Sequence, residues 1–455
     1  MTSVLLIYPF FKPRRDRSVF RFPPLGITYI AASLQKAGHV VRLIDCTFLD
    51  RQEALTQALH IKTDVVGIYG MVSMADECVW FAKQLRSRCQ LLVAGGPLPT
   101  CDPEPFLKYF DVVIRGEGEQ TMQELLHAYE QGSGLADIAG IVYRSNGARP
   151  AAGELITTPE RKFTKELDQI PFPARTLLPN KSYIQYGKKK YGFSITTVMS
   201  TRGCPFRCEF CSNVVFGGSY RERSPQNVVD EIEDALTLGY DRISFADDVF
   251  TMRRQRVINI CREIRRRGLH FAWECLGRVD ALDYPTAMEM KAAGCTRIFF
   301  GIESANAEIL KLMDKKISTD EARLAAHAAH QAGLQVGAFF ILCYPGDTDD
   351  SVLETLHFTT SLPLDYIGLS MPYPLPGTKL FERIKDRISR DWHPEDSPFG
   401  SHVLIFNSDF SGVKMWFGIF KGHAQFQIKK RMGRLSPLLL PVFERTTDAI
   451  FRLLK

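Results

Sequence analysis

Thr201-Arg202-Gly203-Cys204-Pro205-Phe206-Arg207-Cys208-Glu209-Phe210-Cys211-Ser212-Asn213 sets three cysteines at C-x3-C-x2-C spacing directly after an apolar run. Three thiolates so close on one loop can hold three irons of a cubane, and the fourth iron is then left without a protein ligand. A structural zinc site asks for four closed ligands, usually as two cysteine pairs, and no second pair lies nearby. A disulfide would leave one thiol over and needs an oxidising compartment, for which nothing in the chain argues. The spacing therefore predicts Cys204, Cys208 and Cys211 as ligands of a [4Fe–4S] cluster with one open iron.

Beyond this loop, strand and helix patterns alternate as far as Glu382. Strands are expected at Ile195–Ser200, Arg242–Ala246, Phe271–Leu276, Arg297–Ile302, Val336–Leu342 and Tyr366–Ser370. Helices are expected at Pro225–Leu238, Arg253–Arg267, Tyr284–Ala293, Asp320–Ala332, Ser351–Ser361 and Lys379–Lys385. This is the pattern of a partial (β/α)6 barrel open on one side. Such barrels do their chemistry on loops at the carboxyl ends of strands, and every polar motif after residue 200 lies at such an end.

The cysteine loop, with the aromatic Phe210 before its third cysteine, and the barrel pattern together resemble the radical S-adenosylmethionine (SAM) superfamily. The resemblance implies that the open iron chelates the amine and carboxylate of SAM. An electron from a reducing partner then breaks the sulfonium to give a 5'-deoxyadenosyl radical. It also implies roles residue by residue. Phe245-Ala246-Asp247-Asp248 stands where relatives receive the SAM amino group, with Asp247 the candidate acceptor. Arg278, in Gly277-Arg278-Val279-Asp280, is the candidate partner of the SAM carboxylate. Glu303 or Ser304, in Gly301-Ile302-Glu303-Ser304, would contact the ribose, and Phe339 to Gly346 would hold adenine. Tyr373-Pro374-Leu375-Pro376-Gly377-Thr378 resembles the sixth-strand segment. Bland readings stay open beside these: the two aspartates as caps of the next helix, and Arg278 with Asp280 as a structural pair. Cys343 stands where relatives commonly carry glycine, in Cys343-Tyr344-Pro345-Gly346-Asp347-Thr348.

In the other direction, the first 130 residues alternate short apolar runs with helical stretches, as in a parallel sheet covered on both faces. Strands are expected at Val4–Tyr8, Val40–Asp45, Val65–Tyr69, Leu91–Ala94 and Val112–Ile114, and helices at Leu25–Ala37 and Ala75–Arg88. Ligands of such sheets sit beyond the carboxyl ends of the strands. This half resembles the cobalamin-binding domain that precedes many radical SAM barrels. The matching pieces are Pro23-Pro24-Leu25-Gly26, Ala37-Gly38-His39-Val40 leading to Asp45, Gly95-Gly96 and Arg115-Gly116-Glu117-Gly118-Glu119. The resemblance implies cobalamin held by Pro24, Gly26, Ser73, Gly95, Gly96, Glu117 and Gly118. No D-x-H-x-x-G sequence is present and the loop Phe10–Phe22 holds no histidine, so the cofactor's lower face should lack a histidine ligand. A vestigial domain without cofactor is the competing reading.

Boundaries are expected at residues 1–135 for the cobalamin-binding domain, 136–190 for a linker with a small hairpin, 191–390 for the barrel and 391–455 for a mostly helical extension. Within the linker, Gly140–Arg144 followed by Asn146-Gly147 predicts the hairpin, Pro171-Phe172-Pro173-Ala174-Arg175 an extended strap, and Lys188-Lys189-Lys190 a solvated loop. Asp391-Trp392-His393-Pro394-Glu395-Asp396 opens an irregular stretch. Met415–Phe420 with Lys421, Lys429, Lys430, Arg431 and Arg434 forms a basic, aromatic amphipathic segment. It either packs on the parent domain or lies on an anionic membrane, in which case the substrate would be a lipid or tetrapyrrole.

The net charge of +6 over 455 residues is mild and does not argue for nucleic acid. No apolar run approaches a membrane span, and Lys12-Pro13-Arg14-Arg15 follow the first apolar strand, the wrong order for a secretory signal. Eleven cysteines, eight of them scattered singly, fit a reducing cytoplasm. The resemblance implies a cobalamin-dependent radical SAM enzyme, a methyltransferase acting on an unactivated carbon of a small-molecule substrate. The alternatives are a cyclase or rearrangement catalyst of the same architecture and a non-catalytic cobalamin or iron–sulfur sensor.

Overall fold

The computed structural model describes residues 1–11, 21–145, 153–388 and 406–454. The Asn146-Gly147 turn, most of the Phe10–Phe22 loop and the Asp391–Asp396 stretch lie outside the described residues. The first sheet has seven strands: β1 (Ser3–Tyr8), β2 (Val40–Asp45), β3 (Val65–Tyr69), β4 (Leu91–Gly95), β5 (Val112–Ile114), β6 (Ile141–Arg144) and β7 (Leu155–Thr157). Their order is β2-β1-β3-β4-β5-β6-β7, parallel through β5 and antiparallel beyond it. The Val- and Ile-rich strands are buried on both faces, as helices on either side of a parallel sheet require. The expected hairpin is present, yet it belongs to this sheet: β6 pairs with β5 through Ile114 and Ile141.

The second sheet holds β8 (Ile195–Val198), β11 (Arg242–Phe245), β12 (Ala272–Gly277), β13 (Cys295–Glu303), β14 (Gln335–Ile341) and β15 (Tyr366–Ser370), with β9 (Thr201–Arg202) and β10 (Arg221–Glu222) forming a separate two-stranded ribbon. The six strands run parallel in chain order from β8 to β15, so the barrel is half closed as expected. Their alternation sorts side chains strictly. Ile243, Phe245, Trp273, Cys275, Ile298, Phe300, Val336, Ala338 and Phe340 point to the outer helices and form the largest core. Glu274, Leu276, Arg297, Phe299, Phe339 and Tyr366 stand on the inner face.

Two expectations for the connecting segment divide. Pro171–Ala174 is extended and ties back through Ala174 N to Thr28 O (3.0 Å). Lys188–Lys190, by contrast, is the last turn of a helix, Asn180–Tyr191, that ends on left-handed Gly192. Gly187 hides this helix from propensity, but a Cβ there would meet Phe193 O at 2.7 Å, so close packing requires glycine. At the other end, the basic aromatic segment lies in a helix, Gly412–Met432, that packs on β15 and on the helix Asp349–Ser361. Lys421 and Gln425 are buried in that contact, and Lys421 Nζ bonds Asp448 Oδ1 (2.9 Å) of the final helix, Ser436–Leu453.

Candidate functional site

The cysteine loop springs from the carboxyl end of β8 and closes on itself. Cys204 N donates to Gly217 O (3.2 Å) and Asn213 Nδ2 to Cys204 O (3.0 Å). Gly203 sits at φ +81°, where a Cβ would strike Ser219 O at 2.3 Å. Glu209 pins the loop to the barrel: its carboxylate accepts from Tyr344 Oη (2.6 Å) and from Arg383 Nε (2.6 Å) and Nη2 (2.9 Å). Cys211 keeps the most exposed surface of the three as a residue, while its sulfur and that of Cys204 sit largely desolvated within the loop. Burial raises the Cys211 thiol to about 12, opposed by Lys315, and raises Cys204 as well, opposed by a backbone hydrogen bond and by Arg278. Among the described residues no three His, Cys, Asp or Glu side chains close on one metal ion. A cubane instead takes its thiolates on separate irons, and cations beside them suit that donor set.

The aspartate chosen from the sequence is engaged elsewhere. Asp247 is fully buried, and its Oδ1 accepts from Ser200 N (2.6 Å) and Thr201 N (2.7 Å) while Oδ2 accepts from Ser200 Oγ. It does not cap the next helix; it fixes the turn from which the cysteine loop starts. Asp248, one residue on, is the exposed carboxylate, and its charge raises both Cys204 and Cys211.

Arg278 lies over the Phe206 ring (3.5 Å) and binds Asp280 (2.9 Å) and the carbonyls of Lys315 and Lys316 (3.1 and 3.3 Å). The structural pair and the placement beside the cluster loop are thus both present. Glu303, held at φ +70° by a bulge in β13, forms a buried ion pair with Lys315 (2.9 Å). Lys315 Nζ also stands 5.7 Å from the Phe210 ring centroid. Ser304 is buried in a turn, its Oγ bonded to Thr355 Oγ1 and Asn306 N, so Glu303 is the member of that pair nearer the loop's charges. Cys343 has φ +60°, a left-handed conformation that glycine would adopt without strain. Lys315 was not legible in the sequence: its partner is twelve positions away and the pair exists only because the chain after β13 turns back over the strand end.

Between the two sheets lies a cavity of about 270 Å³. The first sheet contributes Leu6, Ile68, Tyr69 and Val93, and its loops contribute Gly26, Gly95, Gly96, Glu117 and Gly118. Met199, Arg202, Val215 and Phe216 of the cysteine loop and its base close the other side. Gly96 is at φ +114°, where a Cβ would stand 2.5 Å from Gly70 O, and a Cβ on Gly118 would meet Ile30 at 2.6 Å. Pro24 and Ser73 are outside this wall: Pro24 is buried with its carbonyl accepting from Thr28 Oγ1 (2.9 Å), and Ser73 is exposed in a short turn. Glu117 lines the cavity while its carboxylate pairs with Arg221 (2.8 Å) and Arg202 (3.3 Å), and Arg202 also binds Glu119 (2.5 Å). The expected cofactor contact is therefore also a clamp between domains, to which Tyr29 Oη adds a hydrogen bond to Glu231 (3.3 Å), itself paired with Arg175 and Arg223. No histidine lines the cavity among the described residues.

Residues 198–359 match the Radical SAM superfamily and residues 12–126 the B12 binding domain. An uncharacterized methyltransferase of Pyrococcus horikoshii is 34% identical over 372 residues, spanning 79% of this chain and 78% of that protein. The chain belongs to the cobalamin-binding radical SAM family. Its cofactors are accordingly a [4Fe–4S] cluster, SAM and cobalamin. The anaerobic magnesium-protoporphyrin IX monomethyl ester cyclase of Rubrivivax gelatinosus is 29% identical over 85% of this chain and 70% of its own length. The fold is that of the radical SAM methyltransferase TsrM from Kitasatospora setae, whose structure superposes with a TM-score of 0.70 at 19% identity, covering 85% of this chain and 75% of that one.

The inner face of the half barrel has a polar base under an aromatic layer. Arg297 at its base bonds Glu274 (3.4 Å), Gln335 and Tyr366. Above that polar layer Phe299 and Phe339 stack at 5.4 Å with 16° between planes, beside Leu276. Phe339 is 40% and Leu276 38% exposed. Gly337 and Gly368 make room for the rings, since a Cβ on either would stand 2.2 Å from Phe299 or 2.6 Å from Phe339.

Proposed function

We propose that this protein is a methyltransferase acting on an unactivated carbon of a bulky, apolar, ring-bearing molecule, a tetrapyrrole or polycyclic lipid. The observation that carries the substrate class is the Phe299–Phe339 stack on the inner face of the barrel, with Phe339 exposed and Phe299 half-buried beneath it. Flat apolar surface of this kind suits a ring system, by stacking and burial. When bound, the cluster and SAM supply a carbon radical able to take a hydrogen atom, and cobalamin supplies a methyl group. Asp248 would accept from the SAM ammonium, Arg278 and Lys315 would face its carboxylate, and Glu303 would reach the ribose. Phe210 would pack beside the cluster. Gly26, Gly95, Gly96 and Gly118 would let backbone approach the corrin, whose other face would meet Met199 and Phe216. The apolar walls exclude water, which a radical step requires.

The eight cysteines outside the cluster loop, none of them in a disulfide among the described residues, fit a reducing cytoplasm, where a low-potential electron donor would serve as the partner. Incubation with methyl-labelled SAM, a reductant and a tetrapyrrole tests the reading: label should enter the product and S-adenosylhomocysteine should accumulate. The cyclase relative favours a second reading, ring closure without methyl transfer. That reaction would give 5'-deoxyadenosine and an unlabelled product.

A further inference from the structure

The last helix, Ser436–Leu453, docks by its second half only. Thr447 and Phe451 are its buried residues, and Phe451 packs on Gly418 of the preceding helix. The first half carries an apolar face in water. Leu435 is 54% exposed, Leu438 72% and Val442 66%, with Leu439 beside them, at the spacing of one helical face. Scattered exposed leucines mean nothing; a contiguous set is a contact surface. Of the exposed large apolar side chains among the described residues, ten of 23 fall between Val413 and Leu453.

The same segment holds the chain's positive charge. Residues 412–455 contain nine Lys and Arg against two Asp and Glu, a net of +7, while the whole chain is +6, so everything before residue 412 sums to −1. Arg431 and Arg445, both exposed, precede and follow the apolar stretch in sequence. No helix among the described residues is long and apolar enough to cross a membrane.

We infer that the turn and first half of the final helix, Met432–Val442, form a peripheral docking site for an anionic lipid bilayer. Leucines enter the interface and the flanking arginines meet lipid phosphates. Charge selects this occupant: no acidic residue stands between 432 and 443 and the exposed Arg431 and Arg445 bracket the stretch, so a second copy would bring like charge to the contact. The free apolar surface extends beyond the segment expected from the sequence: the Gly412–Met432 helix buries Met415 and Phe426 and leaves Val413, Trp416 and Phe420 exposed, and the next helix adds the contiguous set Leu435, Leu438, Leu439 and Val442.

Sedimentation of the full-length protein with vesicles tests this. It should partition onto phosphatidylcholine vesicles containing phosphatidylglycerol and not onto phosphatidylcholine alone, and partitioning should weaken with salt. R431E/R445E should lower it by roughly tenfold or more, as expected for removing charges near the surface, and L438S/V442S should abolish it. Both variants change exposed side chains, and unchanged melting would show the fold intact. L438W should show blue-shifted emission on anionic vesicles. No binding to either vesicle at low salt, or binding untouched by these variants, would overturn the inference. Lipid-independent dimers abolished by L438S/V442S would overturn it in favour of a second copy.

Discussion

Asp247 and Asp248 are neighbours in sequence and opposites in the fold. Asp247 engages both oxygens, accepting from Ser200 and Thr201, so Asp247→Asn turns an amide donor toward donors. Leaving a buried donor unpaired costs about 1–3 kcal/mol. The variant should melt earlier and hold less iron, because the start of the cysteine loop loosens. Asp248→Asn should keep melting and iron unchanged and weaken SAM binding by about five- to thirty-fold, the loss of a charge-assisted bond. SAM titration and iron analysis of the two variants check this. A sequence can show that two acids end a strand; which of them the backbone turns inward depends on amides 46 and 47 residues away. The same limit hid Lys315. Its pair with Glu303 is buried, so Lys315→Met should cost about 3 kcal/mol by stranding a carboxylate, and Glu303→Gln in the same chain should recover most of it. Thermal unfolding of the double-mutant cycle measures that coupling.

At the scale of elements, all six barrel strands and the five parallel strands of the first sheet were legible, because apolar runs bounded by turn residues are a strong local signal. Ends moved by a residue or two, as at Cys295–Glu303 against the expected Arg297–Ile302. What local pattern could not give was partnership. Ile141–Arg144 reads as an isolated hairpin strand, yet it completes the first sheet through contacts far from its own turn. Asn180–Tyr191 was lost to a glycine whose reason is the backbone of Phe193. The glycines of the lumen also gain meaning only in pairs of strands: Gly337 faces Phe299 and Gly368 faces Phe339. Gly337→Ala should cost about 1–3 kcal/mol through overpacking. It should leave iron content intact and disturb turnover, since the displaced ring is the floor on which substrate would rest. Unfolding and turnover measurements separate the two effects.

For the whole molecule, the sequence placed two cofactor domains in order but not face to face. Their apposition depends on buried ion pairs across the boundary, Arg202 with Glu117 and Glu119 and Arg221 with Glu117. Through these the carboxyl edge of the first sheet meets the base of the cysteine loop, and the cavity between them joins both halves of the chemistry. The absence of a histidine-bearing cobalamin motif in the sequence and of histidine along the described cavity wall leads to one expectation. Co(II) cobalamin bound to the protein should give a paramagnetic resonance spectrum without splitting by an axial nitrogen, and triplet splitting would refute that geometry. On this reading one chain couples radical formation to methyl transfer. The most direct test compares extracts treated with the reduced, reconstituted protein and with its Cys204, Cys208 and Cys211 to Ala variant. Only the former should yield a molecule heavier by one methylene, with 5'-deoxyadenosine and S-adenosylhomocysteine appearing together; 5'-deoxyadenosine accompanied by a product of unchanged carbon count would contradict the account.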